Sequence, residues 1–293
     1  GAVRVLVALS RTLRLGDAIC ISLVRAVAAV DNSGCDILGG GTNLIPYRDG
    51  LLWNLVTCGL IVFGGMGFLV IREIVSTKFR WKKFSMHTKV VLTMTAVLIV
   101  IGTLMLKATD DITWLAALFH SVSARTAGFS TYPLGTWSNA GLLVLIILMF
   151  IGASPGSTGG GIKTTTFFTL LQGIKSAATN RSEKAFRYAI PHDSFRKAAV
   201  VTLLAMGVVT TGTYLMTVFE PDLGLRDILF EVVSAFGTVG LSTGITGGLT
   251  EPSKRLSILI MYIGRLGPLT VASLWYFTRG ERTQYPEGNI AIG

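Results

Sequence analysis

Apolar stretches long enough to span hydrocarbon, set between loops of alternating basic content, constrain this chain more than any single motif does. Leu51–Ile71, Val90–Leu106 and Ala198–Phe219 run for 21, 17 and 22 residues. At about 1.5 Å per residue they reach across most or all of a core of roughly 30 Å, so they predict three crossing helices. Leu142–Ile174 and Leu256–Phe277 are as long but interrupted, the first by a Gly-Ala-Ser-Pro-Gly-Ser-Thr-Gly-Gly-Gly stretch at 152–161 and the second by Gly264-Arg265-Leu266-Gly267-Pro268. Irregular backbone at membrane depth is tolerated only inside protein or beside water. The breaks therefore point to an aqueous path.

Composition narrows the class. Of 293 residues 51% are hydrophobic and only 14% charged, against about 25% charged in soluble domains, which argues against a cytosolic enzyme. A net charge of +10 would suit nucleic acid if it formed one face of a soluble fold; here the charges flank apolar runs, and no nucleic-acid partner is expected. Segments 72–89 and 175–197 with the tail carry fourteen basic residues, namely Arg72, Lys78, Arg80, Lys82, Lys83, Lys89, Lys175, Arg181, Lys184, Arg187, Arg196, Lys197, Arg279 and Arg282. The alternate side carries Arg48, Lys107, Arg125, Arg226, Lys254 and Arg255. The positive-inside rule puts the first set in the cytoplasm and 31–50, 107–140 and 220–255 outside. The expectation is a multi-pass protein of the plasma membrane, the inner membrane of a bacterium. Cys20, Cys35 and Cys58 make no disulfide or zinc pattern. No carboxylate pair, nucleophile–base pair or metal-ligand spacing occurs, so neither an enzyme nor a bound cofactor is expected.

Each outer stretch holds or follows an apolar segment too short to span: Ala18–Val30, Ile112–Ser123 and Ile228–Phe236. Asp17, Asp111 and Asp227 precede them and are expected to cap the first turns. A glycine in a polar setting follows each: Asp31-Asn32-Ser33-Gly34-Cys35, Arg125-Thr126-Ala127-Gly128-Phe129-Ser130-Thr131 and Gly237-Thr238-Val239-Gly240-Leu241-Ser242-Thr243. The last two share Thr-x-Gly-x-Ser-Thr. The chain thus repeats a unit of crossing helix, short re-entrant helix, glycine turn and second crossing helix. Glycines recur again in those second helices, at Gly64, Gly65 and Gly67, at Gly156 to Gly161, and at Gly264 and Gly267; helix packing through small residues is the plainer reading for Gly64–Gly67. A glycine turn ending a re-entrant helix can offer backbone carbonyls to a dehydrated cation, whereas one such turn alone would read as an outer loop. Three in register favour the cation site.

Two stretches carry a resemblance. Phe119-His120-Ser121-Val122-Ser123-Ala124-Arg125-Thr126-Ala127-Gly128-Phe129 with Phe150-Ile151-Gly152-Ala153-Ser154-Pro155-Gly156-Ser157-Thr158-Gly159-Gly160-Gly161-Ile162-Lys163-Thr164 resembles the third repeat of the Trk/Ktr/HKT potassium transporters. Phe230-Glu231-Val232-Val233-Ser234-Ala235-Phe236-Gly237-Thr238-Val239-Gly240-Leu241-Ser242 with Ile263-Gly264-Arg265-Leu266-Gly267-Pro268-Leu269-Thr270 resembles the fourth, nearest the Ktr-type subunit, and Tyr285-Pro286-Glu287-Gly288 fits the tail. The second-repeat turn departs from the family's Asn-Asn-Ala-Gly-Phe. The resemblance implies an all-α polytopic, potassium-channel-like fold of four repeats around one pore, divided here as 1–77 (second repeat), 78–174 (third) and 175–293 (fourth). It implies potassium uptake, with sodium a further candidate ion, through a filter of Asn32, Ser33 and Gly34, of Thr126, Ala127 and Gly128, and of Thr238, Val239 and Gly240. It implies a gating loop of Gly156, Ser157, Thr158, Gly159, Gly160 and Gly161, with Lys163 at its end and Arg265 facing the pore. The implied partners are membrane lipid, a second copy in a homodimer, and nucleotide-binding regulatory subunits on the cytoplasmic side.

Other readings are weaker. The loop 156–164 mimics a phosphate-binding loop, but Ile162 stands where lysine must follow the glycine. His120 reads as a structural, hydrogen-bonded histidine, and His87 and His192 as solvated loop residues. A carrier binding an anion at broken-helix termini is disfavoured by the parallel order of the repeats, and a non-conducting fragment is the third alternative. Only Val5–Leu9 precedes the first short helix where a crossing helix of about 20 residues is expected. The sequence thus suggests the C-terminal portion of a longer transporter, conducting poorly or not at all by itself.

Overall fold

The computed structural model describes residues 15–34, 43–179, 184–186, 188–268 and 270. Ten α-helices are described: α1 Leu15–Asp31, α2 Leu51–Gly65, α3 Phe68–Ser76, α4 Met86–Thr109, α5 Trp114–Ser123, α6 Asn139–Phe150, α7 Thr164–Thr179, α8 His192–Phe219, α9 Leu225–Gly237 and α10 Glu251–Leu266. The one departure from helix and loop among the described residues, apart from an isolated bridge, is a two-residue antiparallel ladder, β1 Lys184–Ala185 with β2 Tyr188–Ala189.

Three of the helices start where a polar side chain satisfies a first free amide. Ser85 caps α4 by accepting from the Thr88 amide, Thr113 caps α5 through Ala116, and Ser138 caps α6 through Gly141. Thr113, not Asp111, is thus the α5 cap; Asp111 lies 3.9 Å from Lys107, paired back onto α4. On α9 the cap position is Gly224, and Asp227 sits inside the first turn, where its charge still opposes the positive helix end. The side chain of Asp17 lies outside the described residues.

Among the described residues two helices, α4 and α8, are long and apolar enough to cross a membrane. The third expected crossing, Leu51–Ile71, is not straight: α2 and α3 meet at an angle of 100°. Gly67 takes φ +85 at the break, a conformation in which a Cβ would clash with its own backbone. Leu142–Ile174 is broken as expected, between α6 and α7, and α10 ends at Gly267 with φ +90. The tail motif at 285–288 and Cys35 fall outside the described residues.

The short helices α1, α5 and α9 occupy equivalent places. Each packs against a crossing helix of its own repeat, α1 on α2, α5 on α4, and α9 on both α8 and α10. The next repeat is engaged in the same sense each time, α2 against α5 and α6 against α9. This handover places the ends of the three short helices around a common centre.

Candidate functional site

Each turn after a short helix alternates backbone handedness. Asn32, Thr126 and Thr238 have φ of 54, 88 and 51, and the glycines two residues later, Gly34, Gly128 and Gly240, have φ of 63, 78 and 91. Such positive φ values cost a side-chain-bearing residue stability, so three repeats holding the same unusual pair argue for a common purpose. The three turns also converge. A Cβ on Gly34 would stand 2.6 Å from the Ala127 carbonyl oxygen, one on Gly128 would stand 2.1 Å from the Val239 oxygen, and one on Gly240 would stand 3.8 Å from the Gly128 Cα. Backbone meets backbone here without intervening side chains, with Ala127 and Val239 oxygens facing the neighbouring glycine. The Asn32 amide donates to Thr126 Oγ1 at 3.4 Å, joining two turns a level deeper. Thr126, Ala127 and Gly128 are buried, whereas Ser33 and Gly240 are exposed.

The surroundings hold the turns rather than supply chemistry. His120 is buried; its Nδ1 donates to the Ala116 oxygen (2.9 Å) and its Nε2 accepts from the Thr131 amide (3.4 Å). Both nitrogens serve structure, tying α5 to the chain beyond Gly128. Arg125 lies buried immediately before the turn, directed at the Thr95 oxygen and hydroxyl, each at 3.5 Å. No group of three or more His, Cys, Asp or Glu able to hold a metal occurs among the described residues.

The stretch 152–161 lies directly against the deeper ends of the turns. The Gly160 amide donates to Thr238 Oγ1 (3.0 Å), and a Cβ on Gly159 would stand 2.3 Å from Thr126 Oγ1. Thr158 Oγ1 donates to the Val30 oxygen at 3.3 Å. One loop of the third repeat thus touches all three repeats. Its ends are pinned by a parallel bridge between Ile151 and Ile162 and by the Ser154–Thr164 hydroxyl pair at 3.0 Å. Lys163, half-buried, reaches back to the Gly159 oxygen at 2.6 Å. Gly156 accepts from the Phe68 amide at 3.1 Å, seating Gly156 and Ser157 beside the α2–α3 bend. Arg265 stands in the last turn of α10, exposed, within range of the Lys163 charge. The residues singled out from sequence therefore fall into two touching layers, with Arg265 to one side.

Residues 88–277 match the family described as TrkH, cation transport protein. The chain belongs to the TrkH cation transport protein family. Relatives within it include the Ktr system potassium uptake protein B of Bacillus subtilis, 36% identical over 93% of this chain and 63% of the relative. The protein of that name from Vibrio alginolyticus is 32% identical over 93% and 62%, and the potassium/sodium uptake protein NtpJ of Enterococcus hirae is 34% identical over 94% and 64%. The chain thus spans somewhat under two thirds of the length of these relatives. The crystal structure of the potassium transporter TrkH from Vibrio parahaemolyticus superposes with a TM-score of 0.72 at 20% identity, over 94% of this chain and 61% of that one. The shared fold makes this a helical membrane protein of the TrkH type.

Sequence reasoning missed how this TrkH-family chain fastens its repeats. Asp110 at the end of α4 accepts from the amide (2.8 Å) and hydroxyl (3.1 Å) of Ser138, the cap of α6. Glu220 at the end of α8 accepts from the amide and hydroxyl of Thr250, the cap of α10, both at 2.7 Å. Those donors hold the Glu220 carboxyl below its ordinary value. The signal available was an acid closing one apolar run and a hydroxyl residue opening the run about thirty residues on.

Proposed function

We propose that this chain forms the wall of a potassium-uptake path, in which K+ sheds water and passes between the turns at Gly34, Gly128 and Gly240. The convergence of those three turns, backbone to backbone, carries the reading. Carbonyl oxygens of Asn32, Ser33, Thr126, Ala127, Thr238 and Val239 would replace the hydration shell, a role that needs no catalytic group or cofactor. Membership of a cation transport family and the potassium uptake named for the relatives support it. The loop from Gly156 through Gly161 acts as the gate: its small residues lie under the turns, and Lys163 and Arg265 add positive charge that discourages cations until the loop moves. Sodium is a second candidate ion, as the name of the Enterococcus relative indicates.

The protein would sit in the plasma membrane in several passes, pair as a homodimer, and receive nucleotide-binding regulatory subunits on its basic segments 72–89 and 175–197. Rubidium uptake in cells lacking their own potassium uptake tests the path. Gly240→Ser is expected to lower the preference for potassium over sodium by about tenfold, equivalent to roughly 1.4 kcal/mol. A variant present in the membrane with unchanged preference would remove the glycine turns from the path.

A further inference from the structure

Counting nine residues back from each turn glycine reaches Arg25, Phe119 and Glu231, so equivalent places behind the turns hold a cation, an aromatic ring and an acid. Glu231 stays within its own repeat, accepting from Thr246 Oγ1 at 2.6 Å. Arg25 reaches into the next one. Its guanidinium carbon lies 4.8 Å from the Trp53 ring centre and 5.5 Å from that of Phe129, the residue that follows Gly128. All three side chains are buried, with 5% or less of their surface exposed, and Tyr47 stacks on Trp53 at 5.0 Å and 21°. The second repeat also grips the backbone of that segment: the Leu44 backbone N–H donates to the Ser130 oxygen at 2.9 Å and the Asn43 side-chain Nδ2 to the Gly128 oxygen at 3.2 Å.

A buried cation between aromatic faces is a demanding arrangement. Guanidinium is flat, delocalised and weakly hydrated, and so can stack against two rings at once; an ammonium is compact and strongly hydrated, does not stack flat, and costs more to desolvate there. Arginine at this depth is costly unless such faces receive it.

We propose that Arg25 is a positioning residue for the third-repeat turn. Held between Trp53 and Phe129, it fixes the Gly128–Phe129 peptide and thereby the carbonyl spacing on which preference for K+ over Na+ depends. This rests on the potassium-path reading. The fourth-repeat turn, against which no cation–ring contact occurs among the described residues, serves as the internal control.

Hydrogen exchange of the full chain in lipid nanodiscs, followed by mass spectrometry in K+ and in Na+, reads both turns at once. The unmodified chain is expected to exchange more slowly in K+ at 126–131 and at 238–243. Arg25→Lys, which keeps the charge, and Trp53→Leu should erase the K+ advantage at 126–131, with exchange there about tenfold faster, and leave 238–243 unchanged. Trp53→Phe, which keeps a ring face, should retain most of the protection. Arg25→Lys with the K+ advantage intact at 126–131 would overturn the proposal, as would equal loss at both turns with a lowered melting temperature, which marks a merely structural role. Absence of a K+ advantage at either turn in the unmodified chain would instead strike the potassium-path reading itself, and the brace with it.

Discussion

The second crossing helix breaks in all three repeats, but in two different ways. In the second repeat the break takes Met66 and Gly67 alone, and in the fourth α10 stops at Leu266 with Gly267 at φ +90. Gly64 and Gly264 press against the backbone of a short helix, where a Cβ would stand 1.9 Å from the Val30 and Phe236 oxygens, and the chain turns three residues later at Gly67 and Gly267. In the third repeat α6 stops at Phe150 and α7 starts at Thr164, with the whole 152–161 loop between them. That loop reaches Thr238, Thr126 and Val30, one residue in each repeat. The same point in a repeated unit therefore serves as scaffold twice and, under the proposed function, as moving part once. The distinction lies in where the glycines meet their neighbours: backbone of a fixed helix for Gly64 and Gly264, threonine hydroxyls of the turns for Gly159 and Gly160.

That contrast can be broken most severely at the scaffold glycines. Gly64→Ala and Gly264→Ala each push a methyl into a backbone carbonyl that has no side chain to rotate away. Each should cost about 3 kcal/mol or more, seen as loss of monodisperse protein in fluorescence-detected size exclusion. A second pair separates conformation from contact. Gly267→Ala, with Thr270 Oγ1 at 3.9 Å as its nearest neighbour, should cost only the left-handed backbone, about 1–2 kcal/mol. Gly67→Ala also meets the Pro155 oxygen at 2.4 Å and should lower the melting temperature further; equal shifts for the two would show that the loop does not bear on the bend.

On the moving side, Lys163→Met frees the Gly159 oxygen and removes a charge. It should raise flux about fivefold, matching roughly 1 kcal/mol for one hydrogen bond; unchanged flux would detach Lys163 from gating. The smallest effect compares the fastenings. Because folding lowers the Glu220 value, its contribution is present above the ordinary carboxylate value of 4.5 and is lost as pH falls through the lower folded value. Glu220→Gln should therefore flatten the acid limb of the melting-temperature profile, most visibly below that ordinary value, while leaving its neutral plateau only slightly lower.

The turns were legible because their signals are local: a short apolar segment, then a glycine in a polar setting, within Thr-x-Gly-x-Ser-Thr in the third and fourth repeats. The bend at Gly67 was not, since apolar residues continue on both sides of Gly64-Gly65-Met66-Gly67 and hydropathy is blind to the sign of φ. Its register with Gly264 and Gly267 was the available clue. At α5 the sequence offers Asp111 and Thr113 within three residues, and only geometry chooses the threonine. Arg25 was equally hidden, because its partners Trp53 and Phe129 are 28 and 104 residues away and meet it only once two repeats have packed.

Thr238 faces two ways, its backbone shaping the turn at Val239 while its hydroxyl accepts from Gly160. Under the proposed function that shared residue makes ion occupancy and loop position a single linked equilibrium. Whatever factor loop departure takes from K+ affinity, bound K+ must return as the same factor opposing loop departure. A tenfold change in one direction is about 1.4 kcal/mol in the other, so a permeant ion would act as an effector of its own gate.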